Sequence, residues 1–437
     1  MPEDKPGDFR YNTGPSAIPW AAVGEAVGGA DLLNLVRCLV RPGDDEAAYA
    51  EKLGGVGAAL AELLACGELA TKLSLGERVA ELEEECKRLL GCSYACFVTN
   101  ATGGFEMAEQ FANLGPGDEV IVPAITFIAT GSYPLARGAK VVFADVDPRT
   151  INLDPEDVAR KITSRTKMII PVHIGGYPVD MDPIMALAEE HDLLVLEDAA
   201  HAFGGSYKGR MTGTIGHFGA YSFHEVKNIN ALGEGGLLVS NTDYGRQFAQ
   251  ARFLGVNMTR QIPDWLYDVD ALAGKYGPAV AGNHSSTEIQ AAVLLSQIGR
   301  LPEIIERRRQ AAEYLSRRFA GAPGLITPPL DTDEIKSTHH LYLLQVDPAV
   351  LGADIQALKA KLEELGVTQI PHFAPLYHFR LFHEFGYNQA EIAATCPQAE
   401  EVFHHRFTHL PLYPLDEEQV ALLADLVLRA VEEVRAR

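Results

Sequence analysis

The chain has 437 residues, of which 47% are hydrophobic and 22% charged, a composition typical of globular proteins with a substantial core. Its formal net charge is −22, which argues against nucleic acid and anionic membranes as partners. The N-terminus has no apolar signal core, and no apolar run approaches the roughly 18 residues of a transmembrane helix.

Six cysteines occur, none at CxxC spacing, so we expect free thiols in a reducing cytoplasm and no metal site. Prolines make the first twenty residues an irregular arm. Helical patterns follow at residues 31–40 and 46–64, and we assign residues 1–76 to an N-terminal arm with helices.

From Glu77 a helix is predicted, with Val79, Leu82, Cys86 and Leu89 on one face. A strand at 94–98, a turn, and a helix that resumes at residue 105 come next. The start of that helix carries residues 102–104, whose free N–H groups suit a phosphate. A plain helix N-terminus with residue 102 as the N-cap is the alternative.

Strands at 119–123, 141–144 and 168–172 alternate with helices at 155–162 and 183–191. This alternation predicts βαβ units and a mostly parallel sheet within a large domain, residues 77–300. The apolar run 193–196 predicts a further buried strand, which ends at Glu197 and Asp198. Open α/β sheets bind ligands at such strand ends.

Lys227 follows Ser222 by five residues and precedes the glycine-rich GEGG turn and an apolar run at 237–239. A lysine amine can form a Schiff base with an aldehyde cofactor. An aspartate facing the pyridine nitrogen keeps that nitrogen protonated, so Lys227 and Asp198 together indicate pyridoxal phosphate (PLP). An ordinary surface lysine is the alternative interpretation.

The apolar residues of segment 254–281 show little helical or strand periodicity, and we expect this segment near the mouth of the active site. A helical stretch at 287–319, interrupted at Pro302, leads into a smaller α/β domain, residues 301–437. Strands are predicted there at 340–346 and 367–370, and helices at 353–364 and 417–434. Several histidines occur in this part, none at tight metal spacing: His339, His340, His372 and His378.

Four motifs resemble, in order, those of the DegT/DnrJ/StrS family of PLP-dependent sugar aminotransferases: PVHIGGYPVDMD, EDAAHA, SFHEVKN with GEGG, and GNHSSTEIQAA. The resemblance covers roughly residues 92–309 and is looser in the C-terminal third. It implies an α/β fold of the type I PLP-dependent transferase class, with a mostly parallel central sheet flanked by helices and a smaller C-terminal α/β domain.

The resemblance also implies roles for individual residues. The turn with Ala101, Thr102 and Gly103 would hold the PLP phosphate, although Ala101 stands where the family has glycine. Ser222 would also contact the phosphate, and His201 would lie beside the phenolic oxygen. An aromatic ring stacks on the pyridine in the family, and the residue at that position is Phe127, for which a core position is the alternative.

Asn283 matches the family asparagine that reaches the neighbouring subunit's phosphate, so the resemblance implies a homodimer with shared active sites. Ser285 stands where the family usually has an arginine, which leaves recognition of a substrate anion open.

The implied activity is transfer of an amino group from glutamate or glutamine to a keto sugar, commonly nucleotide-linked, or to a keto cyclitol, in amino-sugar or natural-product biosynthesis. Related sugar dehydratases replace the Schiff-base lysine with histidine, and Lys227 is present here. An enzyme like the aminohydroxybenzoate synthases stays open, as does a non-catalytic PLP-binding regulator.

Overall fold

The computed structural model describes residues 27–67, 69–70, 73–257, 269–370, 372–412 and 415–436. The chain divides into two compact units, Met1–Gly76 and Glu77–Arg437. The predicted irregular arm and part of the 254–281 segment lie outside the described residues. The boundary predicted at residue 301 falls inside the second unit and stays a prediction.

The first unit contains a helical hairpin, α1 (Gly29–Leu39) and α2 (Glu46–Cys66), close to the predicted bounds. Asp45 caps α2, since its side chain accepts a hydrogen bond from the Ala48 N–H at 2.9 Å. The two helices approach closely at Gly57, where an added Cβ would lie 3.2 Å from a Leu33 methyl group.

The second unit is built on the following strands: β1 (Tyr94–Val98), β2 (Glu119–Pro123), β3 (Lys140–Ala144), β4 (Thr166–Ile169), β5 (Leu194–Asp198), β6 (Ser206–Tyr207), β7 (Arg210–Met211), β8 (Phe218–Ser222), β9 (Gly236–Ser240), β10 (Leu272–Gly274), β11 (Gly277–Ala279), β12 (Leu325–Ile326), β13 (Ile335–Lys336), β14 (Tyr342–Val346) and β15 (Phe407–Leu410). Seven of them form the central sheet, in the order β1-β9-β8-β5-β4-β2-β3.

This sheet is mostly parallel, because β3, β2, β4, β5 and β8 run in one direction. Only β9 is reversed, and it pairs antiparallel with both of its neighbours, β1 and β8. Strands β2, β5 and β9 are buried along their whole length, which explains why their sequences are largely continuous apolar runs.

Helices cover the sheet: α3 (Glu77–Leu90), α4 (Ala101–Ala112), α5 (Ala129–Ala136), α6 (Pro155–Lys161), α7 (Met181–Glu190), α8 (Phe248–Arg252) and α9 (Glu288–Ile298). The predicted apolar face of α3 is confirmed for Val79, Leu82 and Cys86, but Leu90 is buried in place of Leu89. The predicted α/β class with a mostly parallel sheet is confirmed.

The C-terminal part has a second sheet, in the order β12-β14-β15. Its helices are α10 (Leu301–Phe319), α11 (Pro348–Leu351), α12 (Ile355–Glu364), α13 (Arg380–Glu384), α14 (Gln389–Ala393), α15 (Pro397–Glu401) and α16 (Glu417–Arg435). Helices α10, α12 and α16 share one apolar core with β14, separate from the core under the central sheet.

Some predicted elements differ from the structure. Residues 367–370 form no strand. The helix predicted at 287–319 breaks at Gly299 and Arg300 rather than at Pro302, because proline is tolerated in the first turn of α10. None of the helices in the described ranges is both long and apolar enough to cross a membrane.

Candidate active site

The predicted site residues converge at one edge of the central sheet. Strand β5 ends at Asp198, and its neighbour β8 ends at Ser222. Ser222 pairs with Gly236 at the start of β9, and Gly236 in turn pairs with Val98 at the end of β1. The turn after β1 and the loop between β8 and β9 therefore leave the sheet side by side.

Helix α4 begins at Ala101, with Asn100 as its N-cap: the Asn100 Oδ1 accepts a hydrogen bond from the Gly103 N–H at 2.9 Å. The predicted helix start at Phe105 is wrong, and so is the alternative with Thr102 as N-cap, because Asn100, two residues after β1, already caps a helix that begins four residues earlier than predicted. The first N–H groups of a helix lack partners within it, so those of Ala101 and Thr102 are available to an anion.

Gly236 explains how Ser222 comes close to this helix end. A Cβ at Gly236 would lie 2.2 Å from the Asn100 carbonyl carbon and 2.5 Å from the Ala101 nitrogen, closer than real Cβ contacts. Only glycine lets β9 pass so near the helix start. Ser222 and Ala101 thus lie on either side of one glycine, an arrangement that suits a single phosphate.

Asp198 is buried, and two groups hold its carboxylate. Thr130 Oγ1 donates to Oδ2 at 2.8 Å, and the Ala200 N–H donates to Oδ1 at 3.1 Å. Thr126 Oγ1 lies 3.2 Å from the Thr130 hydroxyl and supports it. Burial raises the pKa of Asp198, although these hydrogen bonds and the charge of Lys227 act to lower it. A buried carboxylate of this kind is stabilised by a cationic N–H partner.

Lys227 lies in the loop between β8 and β9, and its backbone N–H donates to the His224 carbonyl oxygen at 2.9 Å. Burial lowers the pKa of Lys227 to about 8, and the Asp198 carboxylate acts in the opposite direction. An appreciable fraction of the amine is therefore neutral and nucleophilic near neutral pH. An ordinary surface lysine would not experience such desolvation.

His201 stacks on His340, with ring centroids 4.4 Å apart. Its Nδ1 accepts a hydrogen bond from the Gly175 N–H at 3.3 Å, so the neutral ring carries its proton on Nε2. Burial lowers the pKa of both histidines well below the usual value, and the charge of Lys227 adds to this. His201 is thus a neutral donor through Nε2.

Phe127 lies two residues before α5, and the residue is 56% exposed. The alternative that Phe127 is a core residue is therefore wrong. Its exposed ring offers a flat apolar face of the kind that aromatic ligands stack on.

Asn283 is exposed, and its Oδ1 accepts a hydrogen bond from the Ser285 N–H at 3.1 Å. The adjoining His284 carbonyl oxygen accepts from the Thr99 N–H at 3.1 Å, which ties this segment to the turn after β1. The predicted reach of Asn283 into a neighbouring subunit stays a prediction.

Sequence reasoning missed three residues of this site: Thr130, Asn228 and His340. Thr130 supports Asp198 from a helix 68 positions earlier in the chain, a distance that no local motif encodes. Asn228 follows Lys227 directly, and its Oδ1 lies 2.9 Å from His340 Nδ1. Its place within the lysine motif was the available signal.

The residues present fit PLP. The start of α4 together with Ser222 offers N–H and hydroxyl donors for a phosphate, and Asp198 offers a buried carboxylate for a pyridinium N–H. Lys227 offers an amine for the aldehyde, His201 a donor for the phenolic oxygen, and Phe127 an exposed ring for stacking.

Comparisons with known proteins agree with this assignment. The sequence model of the DegT/DnrJ/EryC1/StrS aminotransferase family matches residues 59–427. The spore coat polysaccharide biosynthesis protein SpsC of Bacillus subtilis (strain 168) is 36% identical over 373 residues, which are 83% of this chain and 90% of SpsC.

Two solved structures are similar over most of the fold. A 3-amino-5-hydroxybenzoic acid (AHBA) synthase has a TM-score of 0.73 at 28% identity, covering 90% of this chain and 98% of the synthase. PseC of Helicobacter pylori, an aminotransferase involved in the biosynthesis of pseudoaminic acid, has a TM-score of 0.72 at 25% identity, covering 86% of this chain and 96% of PseC.

Proposed function

Because the chain belongs to the DegT/DnrJ/EryC1/StrS aminotransferase family, whose members use PLP, we propose that it transfers an amino group from glutamate or glutamine to a keto sugar linked to a nucleotide. The observation that carries the proposal is the pairing of Lys227, whose pKa is lowered to about 8, with the buried carboxylate of Asp198. An amine nucleophile and a carboxylate that accepts a hydrogen bond from the protonated ring nitrogen are the two groups that transamination requires from the protein.

PLP supplies an aldehyde that condenses with amines and a protonated ring that accepts electrons from the substrate's α-carbon. Asp198 keeps the proton on the ring nitrogen, since its buried carboxylate gains a cationic partner. Thr130 and the Ala200 N–H fix the orientation of that carboxylate through both of its oxygens.

Lys227 has two tasks in this scheme. Its Nζ would hold the cofactor covalently and would become a free amine once the amino donor has taken its place. That amine would then act as the base that moves a proton from the donor's α-carbon. A pKa of about 8 suits this exchange, because general bases are most effective when their pKa lies near the working pH.

The phosphate would be held by Ser222, Thr102 and the first N–H groups of α4, and His201 would donate to the phenolic oxygen through Nε2. These contacts bind and orient the cofactor and leave the proton-transfer positions to Lys227.

Two relatives support a sugar substrate. SpsC takes part in spore coat polysaccharide biosynthesis, and PseC is an aminotransferase involved in the biosynthesis of pseudoaminic acid. Ser285 stands where an arginine is expected, so we propose that recognition of a substrate anion uses another residue. A keto cyclitol is the second substrate class to test.

The test is an amination screen in which the purified protein with PLP and glutamate or glutamine is offered nucleotide keto sugars, keto cyclitols and free keto sugars. We expect an amine product from a nucleotide keto sugar, and Lys227→Ala should lower its rate at least about 1000-fold, because the nucleophile and base are lost together. Borohydride reduction should attach PLP to Lys227. The control is Lys208→Ala, a surface lysine paired with Asp182 at 2.6 Å, which should retain full activity.

Covalent attachment at another lysine would contradict the assignment. The similarity to AHBA synthase favours a second candidate, an enzyme that forms an aminohydroxybenzoate, and product formation from a cyclic keto acid without a sugar would support it. Unchanged visible absorption of the bound cofactor after addition of both amino donors would indicate a PLP-binding regulator.

We also propose that the protein works in the cytoplasm as a homodimer with shared sites. All six cysteines are free, and four of them are buried, as expected for a reducing compartment. Thiol titration of the unfolded, freshly purified protein should find six thiols per chain, and fewer would argue against this location. Exposed Asn283 supports the dimer, because a surface residue is able to reach a neighbouring chain.

A further inference from the structure

Two histidines and a glutamate converge in the C-terminal part of the chain. His378 Nε2 lies 2.7 Å from Glu400 Oε1, and His404 Nε2 lies 3.2 Å from Glu400 Oε2. All three ligand atoms lie within 4.8 Å of one another, and the side chains are partly exposed. We call these residues the His–Glu–His cluster.

The fold holds Glu400 in a fixed position. Glu400 lies on helix α15, whose first N–H groups, those of Gln398 and Ala399, donate to the two carboxylate oxygens of Asp145 at 2.9 and 2.8 Å. Asp145 directly follows β3 of the central sheet and is buried. The sheet therefore anchors the start of the helix that carries the glutamate.

The two histidines come from separate, ordered turns. His378 ends a 3₁₀ turn, Leu376–His378, whose Leu376 N–H donates to the Ala124 carbonyl oxygen at 2.8 Å, just beyond β2. His404 lies in the π-helical turn Val402–Arg406 that follows α15. Single π-helical turns are rare and often occur at functional sites.

A further contact resembles the supporting shell of a metal site. The Tyr377 hydroxyl donates to Glu400 Oε1 at 2.7 Å, the same oxygen that faces His378. Ligating carboxylates usually have such an outer hydrogen bond, which orients them towards the ion. Both imidazoles turn Nε2 towards the carboxylate, and neutral imidazole can bind a metal through Nε2 while its proton is on Nδ1.

The distances suit a small divalent ion. Zinc ligands lie about 2.0–2.2 Å from the ion, which places neighbouring ligand atoms roughly 3.3 Å apart in a tetrahedral site. The separation of 3.2 Å between His404 and Glu400 already matches this value, and the 2.7 Å between His378 and Glu400 needs to open by about half an ångström. Two histidines and one glutamate form a known ligand set for zinc with a fourth position open to water.

We propose that His378, Glu400 and His404 bind one divalent ion of the zinc class, with water as the fourth ligand. The bound ion would join the 3₁₀ turn to α15 and the π-helical turn after it. This inference does not rest on the proposed function. It also departs from the sequence-based expectation of no metal site, because the ligands are separated by 22 and 4 positions and match no local metal spacing.

The test uses the full-length holoprotein without a histidine tag, stripped with a chelator, returned to zinc-free buffer and titrated with zinc sulfate. We expect one zinc ion per chain and a raised melting temperature. Cobalt(II) should give the visible absorption of a four-coordinate site. His404→Ala and Glu400→Gln should each weaken zinc binding at least tenfold and remove the rise in melting temperature.

Two variants serve as controls. His405→Ala removes the exposed neighbour of His404, and His372→Ala removes a histidine close to Lys227; both should still bind one zinc ion. His404 is nearly half exposed, so its loss should leave the fold and the PLP absorbance unchanged. Equal zinc affinity in wild type and His404→Ala would overturn the proposal, as would loss of binding in His372→Ala alone or the absence of stoichiometric binding by the wild type.

Discussion

At the scale of single residues, burial shifts the pKa values of Asp198 and Lys227 in opposite directions. It raises the pKa of Asp198 and lowers that of Lys227, because a low-dielectric environment disfavours the charged form of each. Each group partly offsets the other's shift through its own charge. Both shifts therefore have one cause, the burial that the two residues share.

Asp198→Asn should leave PLP bound but slow amino transfer. The neutral amide cannot keep the ring nitrogen protonated, and each unit of ring pKa lost costs about 1.4 kcal/mol, a factor of roughly ten. We expect a decrease of about 100-fold or more in the half-reaction with glutamate, measured by stopped-flow absorbance. The exposed Asp182→Asn is the control and should react normally. Near-normal turnover of the Asp198 variant would show that Asp198 has another role.

The amine of Lys227 should govern how fast the cofactor-free protein takes up PLP. Because burial lowers its pKa from 10.5 to about 8, the neutral fraction grows roughly fivefold between pH 7 and 8 and levels off above pH 9. Uptake followed by absorbance should show this inflection. Asp198→Asn removes a charge that raises this pKa, so the inflection should move to lower pH. An inflection near pH 10.5, or an upward shift in the variant, would contradict this account.

At the scale of elements, the start of α4 connects the sequence to the phosphate position. Asn100, two residues after β1, has an extended conformation and caps the helix, so the direction in which the first N–H groups point depends on one carboxamide. Gly236 then lets β9 pass against the Asn100 carbonyl. The site is therefore formed by a cap and a close strand contact together.

Asn100→Ala should cost about 1 kcal/mol of stability through loss of the cap and should also weaken PLP binding several-fold, as measured by equilibrium titration. The matched control is Asn388→Ala, which removes an asparagine cap from α14, where the side chain accepts from the Ala390 and Glu391 N–H groups. That variant should lose similar stability at unchanged PLP affinity. Equal PLP affinity in both variants would indicate that the start of α4 does not hold the phosphate.

Elements that bury a continuous apolar run could be predicted from the sequence, as β2 and β5 were. Strand β8, FGAYS, was not predicted, because Gly219 lowers its strand propensity. A Cβ at Gly219 would lie 1.9 Å from the Gly213 carbonyl oxygen, so the loop that packs here requires a glycine at this position. The strand predicted at 367–370 is wrong, because that segment contacts β15 through a side chain, with Thr408 donating to Gln369 at 2.8 Å.

The site was predictable to the extent that its residues lie in local motifs. Lys227 and Asp198 each stand in a recognisable stretch of sequence. Thr130 and His340 come from other parts of the chain. Only the structure shows that Thr130 donates a hydrogen bond to Asp198 and that His340 stacks on His201.

At the scale of the whole molecule, we expect each active site of the proposed dimer to contain residues of both chains. The described chain supplies an amine, a carboxylate, a helix end and an exposed aromatic ring, while Asn283 is exposed at the surface. Closed two-fold assemblies are the commonest oligomers, and a shared site would make activity depend on assembly.

Mixing inactive Lys227→Ala chains with Asn283→Ala chains should therefore restore part of the activity. In the mixed dimer one site combines Lys227 from the Asn283→Ala chain with Asn283 from the Lys227→Ala chain, so about one site in two is intact. Activity after verified subunit exchange is the measurement, and each variant alone is its own control. No recovery, or an active monomer in light scattering, would exclude shared sites.

The reversed strand β9 has a consequence for how the protein folds. It lies between β1 and β8, and its pairing with β1 joins segments roughly 140 residues apart in the chain. Contacts of such long range form late, because the entropy of closing the intervening chain must be lost before they are gained. The phosphate position therefore exists only once β9 has paired with both β1 and β8. A cofactor that binds this state alone stabilises it by mass action, by about 2.7 kcal/mol at a free concentration 100 times Kd.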